Sequence, residues 1–274
     1  MAKLDRLGWA AGITFTAYGV SAGVRVSDCA ALDAVAGRLP PGWRRSAAPS
    51  VGRLYSLISG GDGGDGRFRR FHLLYVGARL LARTPDAEAV FERLESDLRL
   101  YVAERSPRRV FVHAGVVGWR GRAVVIPGPS LSGKTTLVAE LVRAGAEYYS
   151  DEYAVFDAAG RVYPYARPLA VREGGGLGQT RRSVEEFGGR AGEVPLPIGL
   201  VVATRYERGA VWRPRRLTAG ECVLELLSNT VPARRSPGRA LSALTKAAAG
   251  ATILAGPRGG AAAVAEAILR SLVM

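Results

Sequence analysis

The stretch VIPGPSLSGKTTLVAEL, Val125 to Leu141, decides how this chain reads. The chain carries 38 Lys and Arg residues. Lys occurs only at Lys3, Lys134 and Lys246, and everywhere else the cation is Arg. A Lys held between Gly133 and Thr135 against that bias suggests a task for a compact point charge on a flexible stem, which the broad planar fork of Arg performs badly. The frame Gly128-Pro129-Ser130-Leu131-Ser132-Gly133-Lys134-Thr135 fits G-x-x-x-x-G-K-[ST], a phosphate-binding loop. Its glycines let backbone N–H groups curl round an anion. Lys134 would reach the outer phosphates, and the Thr135 hydroxyl would ligate Mg²⁺. The β-branched run Ala123–Ile126 has strand character before the loop. The segment from Thr135 to Ala144, beginning Thr135-Thr136, reads as a helix with Leu137, Leu141 and Val142 on one side. Its N-terminus adds orphan N–H groups and a positive dipole end.

A length of 274 residues allows one large domain or two small ones, and 48% hydrophobic residues supply a core. Cys29 and Cys222 offer no zinc spacing and no disulfide framework, so a reducing cytoplasm is expected. The net charge of +14 comes without a helix-turn-helix, zinc-finger or aromatic RNP signature. It reads as an Arg-rich solvated surface suited to an acidic partner, and no nucleic acid is expected. The uncharged run Leu7–Val24 approaches membrane-spanning length. It holds four glycines, however, and Ile13–Tyr18 alternates as a half-buried strand does, so no membrane association is expected.

The first part of the chain, 1–108, reads as a small mixed α+β domain. Strands are expected near Gly12–Tyr18 and Gly23–Val26, and a helix near Ala30–Arg38. Phe71–Val76 and Arg79–Ala82 form a hairpin turning at Gly77. Thr84-Pro85 opens a helix, with Thr as cap and Pro at the first helical position. Val90, Leu94, Leu98 and Tyr101 make its apolar stripe. The remainder, 109–274, alternates strands and helices as nucleotide-binding α/β cores do. Strands are expected at Tyr153–Asp157, Arg161–Tyr165, Ile198–Thr204 and Ala251–Leu254. Helices are expected at Thr218–Leu227 and Ala261–Leu272. Seven glycines and little apolar content lie between Arg172 and Pro195. Beside a phosphate loop, the segment 172–195 is a lid candidate.

Three further features narrow the chemistry. His113 lies 21 residues before Lys134, in Val110-Phe-Val-His-Ala-Gly115. Asp151 and Glu152 lie 17 and 18 residues after Lys134, at the end of an apolar stretch. Arg172 begins the Gly-rich segment. Adjacent carboxylates at a strand end, near a polyphosphate, can divide their labour: one faces a metal and the other takes a proton from an acceptor.

Residues 110–172 resemble the catalytic core of bacterial HPr kinase/phosphorylase and its shorter relatives. The matched segments are VHAGVV, GPSLSGKTTL and LVRAGAEYYSDEYAVFD, about a quarter of the chain, and the likeness is weaker through Leu272. The spacings His113–Lys134 and Lys134–Asp151 match without a gap. The resemblance implies an α/β fold with a P-loop nucleotide-binding core of the HPr kinase type. It implies that Gly128 to Thr135 bind ATP phosphates and that Thr135 contacts Mg²⁺. It further implies that Asp151 takes the acceptor's proton and that His113 sits beside the reacting phosphoryl group. Departures are plain. The family's second Asp is Glu152 here, a candidate metal ligand together with Asp151. The Glu-x-Arg-Gly signature falls at Ala170-Val171-Arg172-Glu173, which keeps Arg172 and lacks the Glu. The N-terminal third does not resemble the full-length enzyme's regulatory domain, which argues against HPr as the acceptor. Some related kinases resemble tailoring enzymes that phosphorylate a hydroxyl on a small ribosomal peptide.

The expected activity is therefore ATP- and Mg-dependent phosphorylation of a Ser or Thr hydroxyl on a peptide or small protein. The alternatives are a regulatory nucleotide-binding module with little transfer activity and a kinase of a free small molecule. Full-length relatives resemble hexamers, so a homo-oligomer is among the expectations.

Overall fold

A computed structural model describes residues 2–60, 71–171, 180–231 and 233–272. The chain divides into two compact units, Met1–Pro107 and Arg108–Met274.

The first unit opens with a short helix α1 (Ala2–Asp5) and is built on one sheet. Its strands are β1 (Ala11–Ala17), β2 (Val20–Val26), β3 (Arg44–Arg45), β4 (Leu54–Ile58), β5 (His72–Val76) and β6 (Arg79–Thr84), with helices α2 (Ala31–Ala36) and α3 (Ala87–Arg105). Among the described residues the sheet order is β3-β1-β2-β4-β5-β6. Neighbouring strands run antiparallel except β2 and β4, which are parallel. The uncharged N-terminal run is thus a hairpin. Ile13, Phe15 and Ala17 point into the core, and Tyr18 and Gly19 turn the chain with positive φ at both positions. Among the described residues no helix is long and apolar enough to cross a membrane.

The expected stripe Val90, Leu94, Leu98 and Tyr101 is the buried face of α3, which packs on β5 and β6. The cap differs from the sequence expectation. Asp86, not Thr84, is the N-cap, and its carboxylate accepts from the N–H groups of Glu88 and Ala89. β6 runs through Thr84, whose hydroxyl instead accepts from the Asp86 N–H at 3.1 Å. A carboxylate is the stronger acceptor for the partial positive charge of a helix start, and it displaces the helix by two residues.

The second unit is a larger mixed sheet covered on both faces. Its strands are β7 (Val110–Trp119), β8 (Arg122–Pro127), β9 (Glu147–Ser150), β10 (Tyr153–Phe156), β11 (Val162–Tyr163), β12 (Leu169–Val171), β13 (Thr180–Arg182), β14 (Ile198–Tyr206), β15 (Arg215–Arg216) and β16 (Thr252–Arg258). Its helices are α4 (Lys134–Arg143), α5 (Ala219–Ser228), α6 (Pro237–Ala248) and α7 (Ala261–Arg270). Among the described residues the main order is β11-β10-β7-β8-β14-β16-β15, with β9 also on β7, while β12 and β13 pair as a separate two-stranded sheet. β8, β14 and β16 are mutually parallel, and β7 is antiparallel to β8 and β10.

The alternation of β8 sorts the two cores. Ala123 and Val125 join Cys222, Leu226, Ala240 and Leu244 under α5 and α6. Val124 and Ile126 join Leu137, Leu141, Val264 and Ile268 under α4 and α7. A strand buried on both faces reads as an unbroken apolar run, which is why Ala123–Ile126 stands out in the sequence.

The Gly-rich segment is not uniform. Residues 172–179, which include Arg172 and Glu173, lie outside the described residues. From Thr180 onward the segment is paired and partly buried. β13 pairs with β12, a 3₁₀ turn spans Glu185–Phe187, and Val184 and Phe187 are buried with Leu137 and Val142 of the α4 core. Two well-placed apolar side chains suffice to anchor a segment whose composition is mostly polar and glycine.

Two glycines with similar backbone angles separate strain from crowding. Gly121 has φ 75° in the β7–β8 turn, with nothing within 4 Å of where a Cβ would stand. Gly160 has φ 81°, and a Cβ there would meet the Ala247 backbone N at 2.5 Å. Gly121→Ala carries the left-handed penalty alone, about 1–2 kcal/mol. Gly160→Ala must also push α6 off its seat. Urea unfolding is expected to show a clearly larger loss for Gly160→Ala, and equal losses would contradict the packing described.

Candidate functional site

Strand β7 positions the site. On one edge it pairs with β8, Ala114 opposite Pro127, so the chain leaves the sheet beside His113 and enters the loop Gly128–Gly133. The Gly128 N–H donates to the His113 carbonyl at 3.2 Å. On its other edge β7 pairs with β9 and β10, Ser150 opposite Val116 and Tyr153 opposite His113. The register is unbroken across the intervening Asp151-Glu152 turn, and the Glu152 carbonyl accepts from the Ala114 N–H at 3.1 Å. The buried Ser150 hydroxyl holds that turn, accepting from the N–H groups of Glu152 and Tyr153 at 3.1 and 2.9 Å. Four residues of one strand, His113 to Val116, thereby bring together the loop and the acidic pair.

Gly115 lets the loop's helix approach. A Cβ there would stand 2.6 Å from a methyl of Val138, so α4 lies directly on the β7 backbone. The helix start is left open. Gly133 is its N-cap in a left-handed conformation with φ 84°, and no side chain caps it. The first intrahelical bond runs from the Leu137 N–H to the Gly133 carbonyl. The N–H groups of Lys134, Thr135 and Thr136 precede it and have no acceptor within the helix. α5, by contrast, begins with a complete capping box between Thr218 and Glu221. Leu131 also has positive φ, 71°, which is strained for a branched residue and leaves its side chain three-quarters exposed. The Ser132 hydroxyl is buried and, among the described residues, has no hydrogen-bond partner. Left-handed turns with inward N–H groups at a helix start make a concavity that favours anions.

Lys134 crosses this concavity. Its ammonium donates to the carbonyls of Gly128 and Pro129 at 2.9 and 2.6 Å. Burial lowers its pKa, and Asp151 and Glu152 oppose that shift. The Thr135 hydroxyl donates to Asp151 Oδ2 at 2.9 Å, and the Tyr148 hydroxyl donates to Asp151 Oδ1 at 2.9 Å. Burial, reinforced by the Asp151 charge, holds the Tyr148 phenol well above its ordinary pKa, so it stays a donor. Glu152 pairs with Arg167 at 3.1 Å. The His113 ring lies 4.8 Å from the Tyr153 ring, centroid to centroid.

The structure therefore gathers Gly128 to Thr136, His113, Asp151 and Glu152 around one strand. Tyr148 and Arg167, which orient the two carboxylates, are absent from the sequence reading. So is Arg258, whose guanidinium reaches the Gly133 carbonyl at 2.8 Å. Only its place between Pro257 and Gly259-Gly260, at the end of an apolar strand, could have marked it. Among the described residues no group of three His, Cys, Asp or Glu side chains is arranged to hold a metal by itself.

No protein-family model matches the chain, and no curated protein matches it. Among solved structures, the HPr(Ser) kinase/phosphatase from Coxiella burnetii is similar over 59% of this chain and 94% of its own, with 14% sequence identity and a TM-score of 0.34.

Asp151 accepts two hydrogen bonds, one from a buried phenol. Asp151→Ala is expected to cost about 1–3 kcal/mol by stranding that donor, and Tyr148→Phe about 0.5–1.5 kcal/mol. In the Tyr148→Phe background the cost of Asp151→Ala should shrink. Denaturant unfolding of the four proteins measures the coupling, and fully additive losses would show that the contact is not made.

Proposed function

We propose that this protein is an ATP- and Mg-dependent phosphotransferase of the HPr kinase type, which moves the γ-phosphoryl group to a Ser or Thr hydroxyl of a peptide or small protein. The observation that carries this reading is the Thr135–Asp151 hydrogen bond. It couples an uncapped, anion-receptive helix start to a carboxylate in the turn between β9 and β10. An anion site alone needs no such acid, whereas phosphoryl transfer needs charge on both sides of the migrating group.

The donor set fits Mg²⁺. Thr135 Oγ1 and Asp151 Oδ2 are hard oxygens 2.9 Å apart, and this cation takes one or two protein oxygens and completes its shell with water and phosphate. Thr135 and one carboxylate of the Asp151-Glu152 pair would hold it, leaving the other carboxylate to take a proton, and it would neutralise charge developing on the phosphate oxygens. The chain's own residues do the rest. Loop amides and the Lys134 ammonium bind and orient the triphosphate. Lys134 exchanges the Gly128 and Pro129 carbonyls for phosphate oxygens, a favourable trade because a phosphate carries full charge. The acceptor hydroxyl oxygen forms the new bond to the γ-phosphorus while the bond from that phosphorus to the β–γ bridging oxygen breaks. ADP leaves, and the hydroxyl proton passes to a carboxylate. Asp151 is assigned that role, with Glu152 as the competing candidate. His113, at the base of the loop, would sit beside the reacting phosphoryl group, as the resemblance implies. The acceptor belongs to the peptide class by resemblance to peptide-tailoring kinases, and the net charge of +14 suits an acidic segment.

Turnover of γ-labelled ATP with Ser-containing peptides tests the assignment. Asp151→Asn should lower turnover by about 10²–10⁴-fold, the range for general-base assistance, with a much smaller change in ATP affinity. Near-normal turnover in Asp151→Asn with loss in Glu152→Gln would move the base to Glu152. Lys134→Ala should abolish transfer and weaken ATP binding, and Lys134→Arg should restore only part of either. ATP binding without transfer to any acceptor would instead favour a regulatory nucleotide-binding module.

A further inference from the structure

Arg258 is 2% exposed at the end of β16. Its Nη2 donates to the Gly133 carbonyl at 2.8 Å and its Nη1 to the Gly259 carbonyl at 3.1 Å. Its Nε is buried and, among the described residues, has no hydrogen-bond partner. The Tyr206 ring centroid lies 5.9 Å from the guanidinium carbon. Burial lowers the guanidinium's pKa, and the Tyr206 phenol opposes that shift. Among the described residues no carboxylate forms an ion pair with Arg258. A buried cation is costly unless a counter-charge and hydrogen bonds compensate it. Arg258 has the hydrogen bonds and, among the described residues, lacks the counter-charge.

Its location says what the counter-charge is. The Gly133 carbonyl accepts both from Arg258 and from the Leu137 N–H, at 2.8 and 3.2 Å. In a planar trans peptide the carbonyl and the following N–H point in opposite directions. Holding the Gly133 carbonyl back therefore aims the Lys134 N–H forward, out of the helix start and into the loop. The position also depends on Gly133 having no side chain, because a Cβ there would stand 2.7 Å from Arg258 Nη2. Gly133 thus serves twice: it takes the left-handed turn, and it lets the guanidinium in.

We propose that Arg258 is the second cation of the Gly128–Thr135 loop, a positioning residue that locks the Gly133–Lys134 peptide and supplies long-range charge for a bound polyphosphate chain. The ligand class is a nucleoside triphosphate or the equivalent inorganic chain. Arg258 acts through Gly133 and need not touch the ligand. This inference rests on the nucleotide reading of the loop.

Calorimetric titration of ATP and of inorganic tripolyphosphate, each with Mg²⁺, into wild type, Arg258→Gln and Arg258→Lys separates the two ideas. Gln keeps a donor and removes the charge, whereas Lys keeps the charge and removes the fork. Wild type should bind both ligands. Arg258→Gln should lose about 10–100-fold in affinity for both alike, the scale of a charge-assisted interaction, and Arg258→Lys should recover part of that loss. Binding by wild type with no loss in Arg258→Gln would overturn this inference and leave the loop reading intact. Equal losses in Gln and Lys would reduce Arg258 to a packing role and also overturn it. No binding by wild type would overturn the loop reading itself. Should either variant fail to fold by circular dichroism, hydrogen exchange on wild type decides: tripolyphosphate should protect residues 133–137 and 256–260 together. Protection confined to the loop would contradict the proposal.

Discussion

The Thr135 hydroxyl reaches Asp151 across 16 residues of chain, and that single contact defines the geometry of the site. It exists because β7 lies between the two segments. One edge of β7 delivers the loop through β8, and the other edge delivers the acidic turn through β9 and β10. The Arg120-Gly121 turn fixes the first register, and the Ser150 hydroxyl fixes the second. Gly115 removes the side chain that would hold α4 away from β7. A one-residue slip on either edge would reverse which side chains face the helix. The buried alternation of Val124 and Ile126 against Ala123 and Val125 opposes such a slip.

Charge is arranged to match. Lys134 and Arg258 are both largely buried at the same helix start, and burial disfavours the charged form of each. Asp151 and Glu152 offset this in part for Lys134. Each carboxylate is in turn held by a second group, Asp151 by Tyr148 and Glu152 by Arg167. Cations fixed in a low-dielectric setting act strongly on any negative charge near them.

The loop, the strand before it and the helix after it were legible because their signals are local: a glycine frame, a β-branched run and a 3.6-residue apolar period. The α3 stripe was legible for the same reason. Its start was not, because Thr84-Pro85 reads as a helix start and only the path of β6, which runs through Thr84, moves the cap to Asp86. α6 escaped notice because its buried face is mostly alanine, at Ala240, Ala243 and Ala247, which carries little hydrophobic contrast. The anchoring of the described part of the Gly-rich segment was hard to read because it rests on two apolar residues, Val184 and Phe187, in a mostly polar and glycine context. The roles of Tyr148, Arg167 and Arg258 were not read from the sequence. Arg167 meets a carboxylate 15 residues away and Arg258 a carbonyl 125 residues away, while Tyr148, three residues before Asp151, sits in an apolar run that reads only as core.

A structure of the protein with a non-hydrolysable ATP analogue and Mg²⁺ tests the central claim most directly. The account predicts β- and γ-phosphates against the N–H groups of Lys134 and Thr135, with the metal held by Thr135 and the acidic pair Asp151-Glu152. Lys134 Nζ should have left the Gly128 and Pro129 carbonyls for phosphate oxygens. Nucleotide bound elsewhere, or phosphates in the loop with Lys134 still on those two carbonyls, would contradict it.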